Sequence, residues 1–192
     1  TRALEADAMF DRACATAFRM LGCGTTTIEA KSGYDLTYDG ELEVLAIGHR
    51  VAHATWLSVL GTALSAHVVP PEYEGRRSAY IDEVVIPVAI EAQDRGHAKF
   101  VDCFVEKGAF TPDDARRIAA ATSSARLGLR LHVDQLRDGG GAALAAELGA
   151  LSADHLDFAN EHGIAALADS GTVAVLTPGA TLRPASIACS GR

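Results

Sequence analysis

Apolar and polar positions along this chain alternate between two periods. From about Leu4 to Leu21 the apolar residues Ala8, Met9, Ala13, Ala17 and Met20 recur at helical spacing. Gly22 and Gly24 follow where a helix should stop. The β-branched run Thr25 to Ala30 then has the look of a strand buried on both faces, ahead of a Lys-Ser-Gly turn. The same alternation predicts helices at about Asp39–Ala52, Arg77–Asp94, Pro112–Ser123, Gly141–Leu148 and Asn160–Asp169, and strands at Trp56–Leu64, Lys99–Val105, Leu127–His132, Leu151–Asp154 and Thr172–Leu176. Asp113 and Asp114 sit in the first turn of their helix, where the helix dipole favours acidic groups.

Six strands each reached through a helix imply parallel pairing, because a parallel neighbour requires a crossover. Periodicity alone leaves a doubly wound sheet and a barrel open. The polar residues favour the barrel. Lys31 and Tyr34, His67, Glu106, His132 with Gln135, and His155 all fall at or just past the carboxyl end of successive strands. A barrel gathers such positions around one mouth, whereas an open sheet concentrates them in a single crevice. The expected fold is therefore α/β, an eight-unit TIM barrel of which this chain supplies six consecutive units.

Composition narrows the partner. The 192 residues, 20.0 kDa, suffice for one sizeable core. A formal charge of -8 and a pI near 5.3, with no Lys/Arg cluster, argue against nucleic acid, so the expected partner is a small molecule. Cys14, Cys23, Cys103 and Cys189 are too scattered for a disulfide scaffold or a zinc knuckle, which points to reduced thiols and a cytoplasmic setting. No apolar run reaches the ~18 residues of a membrane span, and the start lacks the pattern of a signal peptide.

The candidate chemistry lies in the strand-end histidines. His132 closes Leu129-Arg130-Leu131-His132, and His155 follows Leu151-Ser152-Ala153-Asp154. Two imidazoles on adjacent strand ends can face one cation, or one can bind metal while the other handles protons. By spacing alone, ordinary polar residues at a barrel rim are the favoured reading. Glu29 and Lys31, two apart on one strand, face the same side and predict an interior ion pair. Glu106 could serve behind a metal site or pair with Lys107 or Arg116. Gly139-Gly140-Gly141 could cradle an anion or simply make a tight turn.

The stretch Gly24-Thr25-Thr26-Thr27-Ile28-Glu29-Ala30-Lys31-Ser32-Gly33-Tyr34 resembles the second barrel strand of imidazolonepropionases, members of the amidohydrolase superfamily. The likeness continues through Ala66-His67-Val68-Val69-Pro70-Pro71-Glu72-Tyr73, Asp102 to Phe110, His132-Val133-Asp134-Gln135-Leu136 and Ser152-Ala153-Asp154-His155-Leu156. It implies a (β/α)8 TIM barrel of the metal-dependent hydrolase type, incomplete here, with about strands 2 to 7 present. It also implies hydrolysis of 4-imidazolone-5-propanoate to N-formimidoyl-L-glutamate in histidine degradation, one divalent metal, zinc or iron, and a homodimer.

By the same resemblance His132 is the metal ligand that ends the fifth strand. A His-x-His pair should lie ahead of Thr1 and an aspartate beyond Arg192. His155 would orient or relay the proton, and Gln135 would offer the ring a donor and an acceptor, with a catalytic as well as a binding role. Tyr34 and His67 match the substrate-contacting tyrosine and histidine.

The chain departs from the family pattern at Asp35, where glycine is usual, and at Val133, where alanine is usual. Residues 1–180 are expected to form a partial catalytic domain and residues 181–192 a divergent tail. Two other readings stay open: another cyclic amidohydrolase or deaminase, and a non-catalytic fragment lacking a complete metal site.

Overall fold

The computed structural model describes residues 2–181; the tail expected at 181–192, Cys189 included, lies outside the described residues apart from its first position. Six strands, β1 (Thr27–Lys31), β2 (Ser58–Ala66), β3 (Phe100–Val105), β4 (Gly128–Val133), β5 (Ser152–His155) and β6 (Val173–Val175), form one sheet. Every pair is parallel and the spatial order equals the sequence order. An order without reversal has no switch point, and right-handed crossovers of one hand place the helices on one face. The outcome is an open, curled portion of a β/α barrel.

Helix α1 (Ala6–Gly22) precedes β1, and α2 (Tyr38–Thr55), α5 (Pro112–Thr122), α6 (Gly141–Glu147) and α7 (Glu161–Ser170) fill the later connections. Between β2 and β3 the chain runs through α3 (Arg77–Tyr80), a π-helical turn over Ile81–Val85, and α4 (Ile86–Asp94). The periodicity read this as one helix, and the backbone is indeed continuous; Pro87, which cannot donate to a regular α-helical ladder, follows the π-helical turn that breaks that ladder. Thr111 and Asp114 cap α5 reciprocally, each side chain accepting from the other's backbone N–H. A short helix, α8 (Pro178–Thr181), ends the described chain.

The strands are apolar on one face only. Val101, Cys103 and Val105 of β3 and Leu131 and Val133 of β4 are buried in the main core, together with Val88 and Ile118 of the helix layer. The intervening residues turn to the other face, and many of them are charged. The run Thr25 to Ala30, expected to be buried on both faces, is only partly buried in β1, and the interior face holds polar side chains that satisfy one another.

Candidate active site

The inner face carries a connected ion network. Lys31 Nζ on β1 lies 2.7 Å from Asp102 on β3, 3.1 Å from Asp154 on β5 and 3.0 Å from Glu29 on its own strand. Arg130 on β4 reaches Glu29 at 3.4 Å and lies over the Phe100 ring. The Glu29–Lys31 pair expected from the spacing is thus one edge of a larger cluster. Burial alone would push Asp102 up, but the bond and charge of His132, together with Lys31, outweigh it and hold the carboxyl at about 2. Burial opposes the charge on Lys31, yet Asp102, Asp154 and Glu29 raise its pKa overall.

Above this network, toward the carboxyl ends of the strands, stand the histidines. His132 Nδ1 lies 3.0 Å from Asp102. An ionised carboxylate only accepts, so Nδ1 carries the hydrogen and donates it, and Nε2 is the nitrogen left for any further partner. His155 adopts a left-handed backbone, φ 77°, directly at the end of β5, and its ring centroid lies 5.1 Å from that of His132. Its Nδ1 is 2.8 Å from the Thr177 hydroxyl. Burial, and next the neighbouring His132, lower the His155 pKa, which keeps this imidazole neutral at neutral pH.

His67 follows β2 and sits 6.5 Å from His132, centroid to centroid. It donates from Nδ1 to the Gly33 carbonyl at 3.1 Å, because a carbonyl offers no hydrogen. Tyr34 meets His67 edge-on at 5.3 Å with its ring largely in solvent. The rim therefore gathers Tyr34, His67, His132 and His155 into one continuous chain of rings. Gln135 is half-buried on the bend just after β4, three residues beyond His132.

Several residues that shape the rim carried no assigned role in the sequence reading. Glu41 on α2 is fully buried, and it accepts from the backbone N–H groups of Gly33 (2.7 Å), Asp35 (3.0 Å) and Leu36 (2.9 Å) and from the Ser65 hydroxyl (3.0 Å). It fixes the loop that bears Tyr34. Gly33 in that loop has φ 101°, and a Cβ there would come within 2.5 Å of the Leu64 carbonyl oxygen, so glycine is required on both counts.

Two open questions from the sequence are settled by partners. Glu106 accepts from the Lys107 and Leu136 amides and from Arg137, tying the end of β3 to the loop holding Gln135. Arg116, the other candidate, instead pairs with Glu147 and Asp113. The triple glycine cradles the chain's own carboxylate: Asp134 accepts from Gly139, Gly141 and Ala142 at 2.9, 3.0 and 2.8 Å. Lys31 had a signal in the sequence, a charged residue two positions from Glu29 on the same strand, and Asp102 and Asp154 stood as single acidic residues in short strands. Glu41 had none.

Asp102, His132 and Asp154 each offer one possible ligand atom, all within 4.8 Å of one another, a grouping that suits one divalent cation. The Lys31 ammonium already faces both carboxylates of this group.

No family model matches the chain. It is 48% identical over 157 residues to an imidazolonepropionase of Maricaulis maris, covering 82% of this chain and 39% of the relative. It is 45% identical over 180 residues to one of Cereibacter sphaeroides, covering 94% and 46%. The chain closely matches a segment of imidazolonepropionases. It spans less than half the length of these curated relatives. A 5-methylcytosine deaminase from Klebsiella pneumoniae superposes with a TM-score of 0.61 at 13% identity, over 90% of this chain and 44% of the deaminase. That likeness concerns the fold, an incomplete (β/α)8 barrel. Among the described residues no helix is long and apolar enough to cross a membrane.

Proposed function

We propose that this chain forms the central part of a metal-dependent hydrolase that opens 4-imidazolone-5-propanoate to N-formimidoyl-L-glutamate in histidine degradation. The observation that carries the reading is the convergence of His132, His155, His67 and Tyr34 at one end of the sheet, beside each other in space though spread over four strand ends. The match to imidazolonepropionases over most of the chain supports it.

The residues present fit one divalent metal, zinc or iron. His132 would be a ligand through Nε2, since its Nδ1 is held by Asp102 as carboxylate partners hold metal-binding histidines. Of the four ligands that the family resemblance calls for, His132 is the one assigned to this chain. When bound, such an ion supplies Lewis-acid polarisation of the ring carbonyl and acidifies water.

The chain's own groups then have definable work. Hydrolysis puts the water oxygen on the carbonyl carbon, breaks the ring C–N bond and leaves a hydrogen on the departing nitrogen. His155, neutral and within reach of His132, can take the proton from water and return it to that nitrogen. Gln135 can donate to and accept from the imidazolone ring. Tyr34 and His67 present a hydroxyl and an imidazole edge to the propanoate carboxylate. His67, with its Nδ1–H committed to Gly33, meets that carboxylate through Nε2 in the doubly protonated ring, the form in which Nε2 also donates.

In this reading residues 1–180 make one partial catalytic domain and 181–192 a divergent tail, within a cytoplasmic homodimer. The test uses a protein of the relatives' full length that contains this chain. Tyr34→Phe and His67→Ala should each raise KM for the propanoate substrate by about tenfold or more, with a smaller effect on kcat. His155→Ala should depress kcat instead. Absence of imidazolonepropanoate turnover in the unsubstituted protein rejects the proposal.

A further inference from the structure

A second group of imidazoles lies away from the strand ends, on the helix layer. His49 and His53 stand one turn apart on the exposed side of α2, and their Nε2 atoms are 3.2 Å from each other. The rings meet edge-on, with centroids 4.8 Å apart. His97, in the loop between α4 and β3, stacks obliquely on His49 at 4.9 Å. Its Nδ1 is buried and has no hydrogen-bond partner.

The spacing of the two Nε2 atoms is that of a chelate. With Zn–N bonds of the usual length and a tetrahedral angle between them, two ligand nitrogens stand about 3.3 Å apart. Residues four apart on a helix share a face, so the backbone holds the pair in place before any ion arrives. His97 is also held firmly. Its backbone N–H bonds to the Ala92 carbonyl at 2.8 Å, and its own carbonyl lies so close to β2 that a Cβ on Gly61 would fall 2.0 Å from it. Burial, then His49 and Arg95, lower the His97 pKa, which disfavours a positive charge beside the pair. Both nearby arginines are engaged elsewhere, Arg95 with Glu91 and Arg50 with Asp7 and the Phe10 ring.

We propose that His49 and His53 form a bidentate site for a divalent transition-metal ion of borderline softness, with the His97 ring of the neighbouring loop packed on His49. The ion replaces the hydrogen bond between the two rings, each of which binds as its Nδ1–H tautomer, so no net proton is released. Such a site bridges two successive turns of α2. It is separate from the strand-end histidines and independent of the hydrolase reading.

The probe is Zn2+, added to the metal-stripped chain. Calorimetry should resolve, apart from any equivalent held at the strand ends, one equivalent whose affinity falls at least about tenfold in His49→Ala and in His53→Ala, since losing a direct ligand costs more than losing a supporting partner. Long-range 1H–15N spectra of the unsubstituted chain should show the His49 and His53 Nε2 resonances moving with that same equivalent, a readout that needs no variant to fold. His97→Ala, which removes a ring packed on His49 and no ligand atom, should weaken the same equivalent less than His49→Ala or His53→Ala, and a loss as large as theirs overturns the two-ligand assignment. Unmoved Nε2 resonances, or equal zinc binding by the unsubstituted chain and the His49→Ala/His53→Ala double variant, overturn the site.

Discussion

Lys31→Met is expected to lower the unfolding free energy at pH 7 by about 3–5 kcal/mol, the range for breaking a buried ion network by removing one partner. The ammonium is the common neighbour of Glu29, Asp102 and Asp154, and Asp102 has no solvent exposure. Without the cation, three carboxylates on alternate strands, β1, β3 and β5, repel one another across a poorly solvated interior.

The loss should depend on pH in a defined direction. Asp102 is held at about 2, below its ordinary value of 3.8. Its contribution is therefore fully present above the unfolded value and disappears as pH falls through about 2. Lys31 is raised, so its contribution is present below its ordinary 10.5 and is lost only as pH rises through the folded value. The gap between the two proteins should close below about pH 4 and stay wide through neutrality. Urea unfolding at several pH values measures this, and a difference under about 1 kcal/mol at pH 7 would mean that the network does not hold the strands together.

Glu41→Gln should cost a comparable amount, about 3–5 kcal/mol, although it removes only a charge and keeps the shape. The carboxylate accepts from four donors at once, and an amide must turn an NH2 group toward some of them. The damage should be local first. Amide exchange at Gly33, Asp35 and Leu36 should accelerate while that of β4 stays slow, because the loop loses its anchor and the sheet does not. In a full-length protein the same variant should raise KM through the displaced Tyr34. Exchange rates unchanged at those three amides would show that the loop is held by something other than Glu41.

The alternation of helix and strand was readable because each period depends on neighbours within a turn or a pleat. The predicted strands and helices recur in the structure with ends shifted by no more than three residues, as at β1, expected from Thr25 and found from Thr27, and α2, expected to Ala52 and found to Thr55. The π-helical turn at Ile81–Val85 left no periodic trace. His67, His132 and His155 were visible as polar groups at strand ends, and parallel strands send all such ends to one side. Their ring-to-ring contacts were not visible, since they join residues on different strands.

By itself the sequence determined a parallel, helix-alternating sheet and the placing of its polar strand ends, because local periodicity and crossover handedness leave few other arrangements. Only the tertiary structure decided which charges meet. Lys31 finds Asp102 and Asp154 across 71 and 123 positions of chain, Asp102 selects the hydrogen-bearing nitrogen of His132, and Glu41 disappears into the loop beneath Tyr34. Those pairings follow from strand register and curl, which no short window of residues encodes.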